Sequence, residues 1–572
     1  MPQKKSALVG LSVPLALLLG CTDGSEATAR DGAVIPGASD AAGTTVPTTV
    51  IGTVTSTTTS GTATFTINTA KILRPISPLI YGLNSTDEIA TTKQTAVRSG
   101  GNRMTGHNWE NNASNAGADW QFQNDNYLVS SLATNLQSVP GQAVRGLIEA
   151  SHANGAAAIL TIPNVDYVAA DKSPAGDVRT SGANYLQTRF KKNVAKKGSA
   201  FSLTPDPTDD SVYQDEFVNW AKTTFTTGKL LFDLDNEPDL WSGTHPEIHP
   251  DKVTYAELVE RNTRFASAIK DVSPEAKILG FVSYGWNGFV NLQDASDKAK
   301  GDFINYYLKS MQAASTQAGR RLVDYLDVHW YPEATGGGDA AGTGGVRITG
   351  GAGANDVSAA VVEARVQAPR SLWDPTYTEA SWITKWSTNG PIKLIPLLKE
   401  KIAANNPGTL LALTEWNYGG GKHISGAIAS ADVLGIYGRE GVDLACNWGF
   451  GADEVFMRAA FRAYRNYDGA GGHFGDTAVE ATTSDIAATS VYASVDSTAL
   501  GKVVIVAINK RTSPVTASIA VAHTSSFGAA DVFTLTAAGP AMTPAPGITA
   551  TGANQFQYVL PGQSVSVLVP KP

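Results

Sequence analysis

The sequence predicts an α/β protein: a (β/α)8 TIM-like barrel with a small all-β sandwich built from both ends of the chain. Three observations predict it. Eight strand-like apolar runs alternate with helix-like segments through the middle of the chain. Nearly every run ends in polar, aromatic or acidic residues, on the side where barrel enzymes assemble their sites. Beyond Tyr467 the pattern turns to period two, rich in Val, Thr and Ala, and one run of the same kind, TATFTINTA, precedes the barrel.

The chain opens on MPQKKSALVGLSVPLALLLGC. Lys4 and Lys5 ahead of the apolar segment Ala7 to Leu19 have the form of an export signal, and the segment is shorter than the ~20 residues a bilayer span needs. Its end, Leu18-Leu19-Gly20-Cys21, is that of a bacterial lipobox, so residues 1–20 are expected to be removed and Cys21 lipidated; an ordinary signal cut nearby is the alternative. Residues 21–60 are Ala, Gly, Thr and Ser with scarcely an aromatic. They cannot bury enough apolar area to offset their ordering entropy, and read as a flexible tether. Cys446 is the other cysteine, and with Cys21 lipidated no intramolecular disulfide can form.

Residues 61–78 supply the first strand of the sandwich. The barrel is expected over 79–466, its strands ending in LIYGLN, VRSGGN, AAILTIPN, KLLFDLDNEP, KILGFVSYGW, YLDVHWYP, LLALTEWNYG and LACNWGF. Among the intervening helices, TYAELVERNTRFASAIKD opens with a capping box of Thr254 and Glu257. An open doubly wound sheet would show a glycine fingerprint after its first strand, and this chain has none. The long loop EATGGGDAAGTGGVRITGGAGAND after the sixth strand reads as a mobile flap or as disorder. Residues 467–572 complete the sandwich.

Composition narrows the partners. The chain has 572 residues, 42% of them hydrophobic and 17% charged, with a formal charge of −8. That balance gives no electrostatic basis for binding nucleic acid, which needs a basic face. An uncharged polysaccharide suits it, and 11 tryptophans offer flat faces for sugar rings as well as for cores.

Two glutamates carry the chemical argument. Glu237 follows FDLDN at the fourth strand, and Glu415 follows LLALT at the seventh. A retaining glycosidase needs two carboxyl groups about 5–5.5 Å apart across the scissile bond, one as acid and base and one as nucleophile. Strands four and seven of a barrel converge on one mouth. Asp233 and Asp235 would form the setting of Glu237. Asn236 is placed to hydrogen-bond the sugar 2-hydroxyl. His329 and Tyr331 alternate along the sixth strand, so both can face the mouth and one can hold Glu415. Trp448 would offer an apolar floor at the eighth strand, and Asn84, closing the first, joins the substrate-binding set.

Taken together, LIYGLN, RSGGNRMTGHNWENNASNAGADW, DLDNEPDLW, DVHWYPE, APRSLWDPTY and LTEWNYGG resemble glycoside hydrolase family 44, in order, from about Pro78 to Asp476. The resemblance implies an endo-acting β-1,4-glucanase or xyloglucanase with a retaining mechanism. Glu237 carries over as acid/base and Glu415 as nucleophile, while Trp286, Trp330, Trp382 and Trp386 carry over as aromatic platforms. It implies no cofactor for catalysis and suggests a structural calcium, for which the acidic stretch Glu110 to Asp125 is a candidate without named ligands. Ser99 and His107 depart from the family pattern, which has a bulky residue and a tyrosine there.

The expectation is therefore an exported, monomeric endoglucanase of soluble β-glucans such as xyloglucan or carboxymethylcellulose. It would sit in a bacterial cell envelope through a lipid at Cys21, or be extracellular. A xylanase or mannanase on the same scaffold is one alternative. A surface lectin is another, although a pure binder needs neither glutamate.

Overall fold

A computed structural model describes residues 61–572; the signal, the tether and Cys21 lie outside the described residues. Eight parallel strands close into a barrel: Gly82–Leu83, Ala96–Ser99, Ala157–Ile162, Leu230–Leu234, Lys277–Ser283, Tyr325–Trp330, Leu410–Trp416 and Leu444–Asn447. They are the eight runs read from the sequence. The intervening helices include Gln142–Ala153, Gln214–Thr224, Tyr255–Val272, Phe303–Ala318, Leu394–Asn405 and Ile424–Glu440. The capping box forms as expected, with Glu257 N–H donating to Thr254 Oγ1 and the Glu257 carboxylate accepting from Thr254 N–H.

The barrel interior is divided by height. Towards the N-terminal ends of the strands, Ala96, Ala157, Ile159, Leu231, Leu279, Tyr325, Ala412, Leu444 and Cys446 form an apolar plug of their own. Nearer the mouth the inward side chains turn ionic: Arg98, Asp233 and Asp327 are all fully buried. An arginine there is stable only where carboxylates compensate it, so the fold fixes the chemistry of its own floor.

Nine strands make the sheet of the sandwich. Strand Gly61–Pro75 lies inside it, antiparallel to Thr477–Thr483 and parallel to Val515–Ala522. Its inward residues Ala63, Phe65 and Ile67 alternate with exposed threonines and are buried in the sandwich core. Helix Ile424–Glu440 is apolar nearly all round because both barrel and sandwich cover it. Asp432, at its middle, is buried 2.7 Å from Lys510 Nζ and accepts a hydrogen bond from Tyr492 Oη at 2.6 Å, both from the sheet.

The glycine-rich loop is not disordered. Residues Thr335–Gly336 pair with Val346–Arg347, and Arg347 donates to the carbonyls of Tyr331 and Pro332. Arg365, fully buried, donates to the carbonyls of Gly353 and Asp356 on one side and of Tyr418 on the other. Five polar acceptors replace a counter-ion, and burial lowers this guanidinium to about 10. The loop is thereby tied to the segment that follows Glu415.

Candidate active site

Glu237 and Glu415 meet at the mouth. One oxygen of each and a ring nitrogen of His329 all lie within 4.8 Å of one another. The backbone aims Glu237 by an unusual route: the residue is left-handed, with φ 45° and ψ 56°, and its N–H donates to the carbonyl of Val282 at the end of the fifth strand. A non-glycine residue in that region is costly and is held there by its surroundings. Pro238 then starts a short 3-10 turn that carries the chain outward.

The two carboxyl groups sit in different electrostatic settings. Glu415 Oε1 accepts from Arg98 at 2.7 Å and Oε2 accepts from the Tyr331 hydroxyl at 2.7 Å. Arg98 also donates to Asp233 at 2.7 Å and to Asn236 Oδ1 at 2.9 Å. Burial opposes its charge, but the carboxylates of Asp233 and Glu415 outweigh that and keep the guanidinium protonated. Glu237 has no such cation at hydrogen-bond range. Its Oε1 lies 2.9 Å from His329 Nδ1, and burial lowers that imidazole to about 3, so it is neutral. Burial raises the Glu237 carboxyl to about 7, although its side chain keeps 19% exposure towards the mouth. A carboxylate held by a guanidinium, facing one that keeps its proton to neutral pH, is the division of labour that acid-assisted displacement requires.

Other expected site residues divide into those the structure brings to the mouth and those it does not. Asn236 is there, its Oδ1 fixed by Arg98 and by the N–H of Gly101. Trp448 stands over Gly101, where a Cβ would strike its ring, and meets Phe450 edge-on. Trp386 is 72% exposed and Trp382 is half-buried beside it. Trp330 is a correction: at 1% exposure it points outward from the strand and stacks on Phe289, because strand alternation that turns His329 inward turns its neighbour away. Trp286, at 7%, is a second; its Nε1 donates to Ser387 Oγ, bracing the loop of Trp386 instead of offering an open face. Asn84 is a third. Its amide donates to the carbonyls of Thr414 and Asn447, so it ties strands together below the mouth.

The acidic stretch Glu110 to Asp125 does not fit calcium, which takes six to eight oxygens around one point. Glu110 lies 3.3 Å from Lys191 Nζ, Asp119 accepts from Asn102, and Asp125 pairs with Arg103 at 2.6 Å. Among the described residues no cage forms there. Of the two departures, His107 is fully buried against Phe217, and burial lowers its imidazole to about 4. Ser99 Oγ rests 3.7 Å from Met104 Sδ.

Sequence reasoning missed Arg98, although VRSGGN displays it at a strand end. Asp235 and Asp233 are the expected setting: Asp235 accepts from Thr105 Oγ1 and from the backbone of Asn164 and Val165, locking the loops after strands two and three.

Comparison with known proteins agrees with this geometry. A family model of glycoside hydrolase family 44 matches residues 113–334. An endoglucanase A of Paenibacillus lautus is 41% identical over 522 residues, a match covering 89% of this chain and 72% of that protein. The chain belongs to glycoside hydrolase family 44. The crystal structure of a family 44 endoglucanase from Clostridium thermocellum matches with a TM-score of 0.83 and 40% identity, over 90% of this chain and all of that one. A family 44 xyloglucanase from Paenibacillus polymyxa, solved with xyloglucan, matches with a TM-score of 0.84 and 40% identity, over 89% of this chain and all of that one. The protein is thus a glycoside hydrolase of the endoglucanase and xyloglucanase kind, and a family 44 enzyme needs no cofactor for catalysis.

Proposed function

We propose that this family 44 enzyme is a retaining endo-β-1,4-glucanase of soluble β-glucans such as xyloglucan or carboxymethylcellulose. Glu415 is its nucleophile and Glu237 its acid and base. The observation that carries this reading is the separation of the two carboxylates. One oxygen of each lies within 4.8 Å of the other, which fits the spacing of about 5–5.5 Å in a retaining pair better than the 6.5–9.5 Å or so of an inverting one. Arg98 and Tyr331 each hold one oxygen of Glu415 and aim the carboxyl at the anomeric carbon. Glu237, half-buried beside a neutral imidazole, keeps the proton for the leaving oxygen and then takes one from water as the glycosyl-enzyme breaks down. No step requires a cofactor. Trp386, Trp382 and Trp448 supply the faces on which sugar rings rest, and the P. polymyxa relative favours xyloglucan as the first polymer to assay. The sandwich supports the barrel instead of binding glycan on its own, and the N-terminal signal with Cys21 places the enzyme outside the cytoplasm on a lipid anchor.

The test exploits the unequal tasks. Glu415→Ala should abolish turnover of every substrate. Glu237→Ala should lose activity on glucan yet still form the intermediate from an activated aryl glycoside, and azide should restore turnover and yield a β-glycosyl azide. A Glu237→Ala protein equally inactive on both substrates, with no rescue by azide, would sink the assignment.

A further inference from the structure

His245 has no part in the chemistry so far, yet it is buried with both ring nitrogens engaged. The chain reaches it from Glu237 through the 3-10 turn Pro238–Leu240 and the short helix Trp241–Thr244. Its Nε2 lies 2.9 Å from the carbonyl of Asn102. Its Nδ1 lies 3.1 Å from the carboxyl of Glu247, also buried, and 3.3 Å from Asn115 Oδ1. The Asn115 amide is not free to turn and offer a donor instead. Its nitrogen donates to Asn124 Oδ1 at 2.9 Å, and its oxygen accepts from Gly117 N–H at 2.8 Å. A neutral imidazole has one N–H and one lone pair, whereas this ring meets accepting oxygens at both nitrogens. Among the described residues the ion pair of Glu247 is with this ring alone.

We propose that His245 is a buried imidazolium that clamps the Glu237 segment to the loop after the second strand, and so is a positioning residue for the general acid. This rests on Glu237 being the acid. Two adjacent residues of that loop grip the segment on either side of Glu237. Gly101 N–H donates to Asn236 Oδ1 at 3.1 Å, and the Asn102 carbonyl accepts from His245. Between those ties Leu240 N–H donates to the Glu237 carbonyl and His245 N–H to that of Trp241, so hydrogen-bonded turns join the clamp to the acid. Gly117 lets the loops close, for a Cβ there would strike both the Thr244 carbonyl and the His245 ring. The surrounding charges agree with the geometry. Burial opposes the imidazolium, but Glu247, the Asn102 carbonyl and Asp119 outweigh it and hold the ring above its ordinary value. Asp235, at the end of the fourth strand, is in turn stabilised by this ring. Arg179, from the loop after the third strand, also acts on Glu247, but it is paired with Asp177 at 2.6 Å. A ring that lost its proton could keep only one of its two ties, and Glu247 would become a buried charge without a partner.

The charge is tested by 15N NMR of histidine-labelled enzyme, at a pH about one unit above the ordinary imidazole value of ~6.5. One ring should have both nitrogens protonated in the parent and become neutral in Glu247→Gln, where the new amide can donate to Nδ1 and the proton stays on Nε2. If no ring changes state between the two proteins, the proposal is overturned. The clamp is tested by kcat/KM on xyloglucan and on an activated aryl glycoside. His245→Asn keeps a donor at the place of Nδ1 for Glu247 and loses the one that reaches Asn102. It should fall about tenfold on xyloglucan and stay within about twofold on the aryl glycoside, whose departure needs no acid. His245→Gln, with its donor at the place of Nε2, should recover part of the xyloglucan rate. Equal losses on both substrates, or no loss, would leave His245 a purely structural residue. Should His245→Asn fail to fold, the NMR comparison in Glu247→Gln still decides the charge on which the clamp depends. Failure of azide rescue in Glu237→Ala would instead count against Glu237 as the acid, and the protonation of the ring is read independently of it.

Discussion

Arg98→Met tests the ionic floor of the barrel most directly. The guanidinium is fully buried and serves Asp233 and Glu415, each at 2.7 Å, together with Asn236 at 2.9 Å. Methionine fills most of the volume but leaves two carboxylates facing each other without a cation. Removing one partner of a buried ion pair costs about 3–5 kcal/mol, and here one substitution strips two partners, so the upper part of that range is expected. Neutralising Asp233 as well, in Arg98→Met with Asp233→Asn, should recover part of the loss, since one stranded charge is gone. Urea unfolding gives the stability. Turnover of an activated aryl glycoside gives the chemistry, because that substrate needs the nucleophile and dispenses with the acid. The single variant should fall at least 100-fold in kcat/KM at neutral pH, about 2.7 kcal/mol of transition-state stabilisation. The double variant should regain stability without regaining rate, because Glu415 still lacks its cation. A single variant as stable and as active as the parent would refute the claim that Arg98 holds the site together.

Two further outcomes are expected. Phe65→Ala, in the strand contributed from the N-terminal side, should destabilise the protein by about 3–5 kcal/mol, and deleting residues 61–75 should cost solubility and barrel activity together; a truncated protein that melts like the parent would show the sandwich to be dispensable. Cys21→Ala should shift the enzyme from the membrane fraction to the soluble one, and an unchanged distribution would rule out the lipid anchor.

The barrel was legible because its signal is repetitive: eight apolar runs, each with polar cargo at the same end, separated by helical periodicity. The two glutamates at the mouth were legible for the same reason, as acids in positions where packing gives them no purpose. What escaped was whatever depends on side-chain direction. Trp330 and His329 are neighbours, and the sequence shows both as cargo; only the closed sheet decides that one faces the mouth and the other the helices. Trp286 and Asn84 look like ligands of sugar until their polar atoms are seen bonded to Ser387 and to barrel carbonyls. Arg98 was passed over because a strand arginine is unremarkable until two carboxylates from other strands close on it. The sheet strand Gly539–Thr549 carries no strand signal in the sequence. Its three prolines argue against a strand interior, and it occupies an edge, where the missing N–H groups cost nothing.

The position of Gly61–Pro75 inside the sheet has a bearing on how the protein is made. That segment is synthesised early, yet its partners Thr477–Thr483 and Val515–Ala522 leave the ribosome only after the whole barrel. Until then it is an orphan strand with an apolar face, and the sheet cannot close around it. In a nascent chain of this topology the sheet closes around Gly61–Pro75 only once those later strands arrive. The strand thus acts as a latch that ties closure of the sheet to segments distant in the chain.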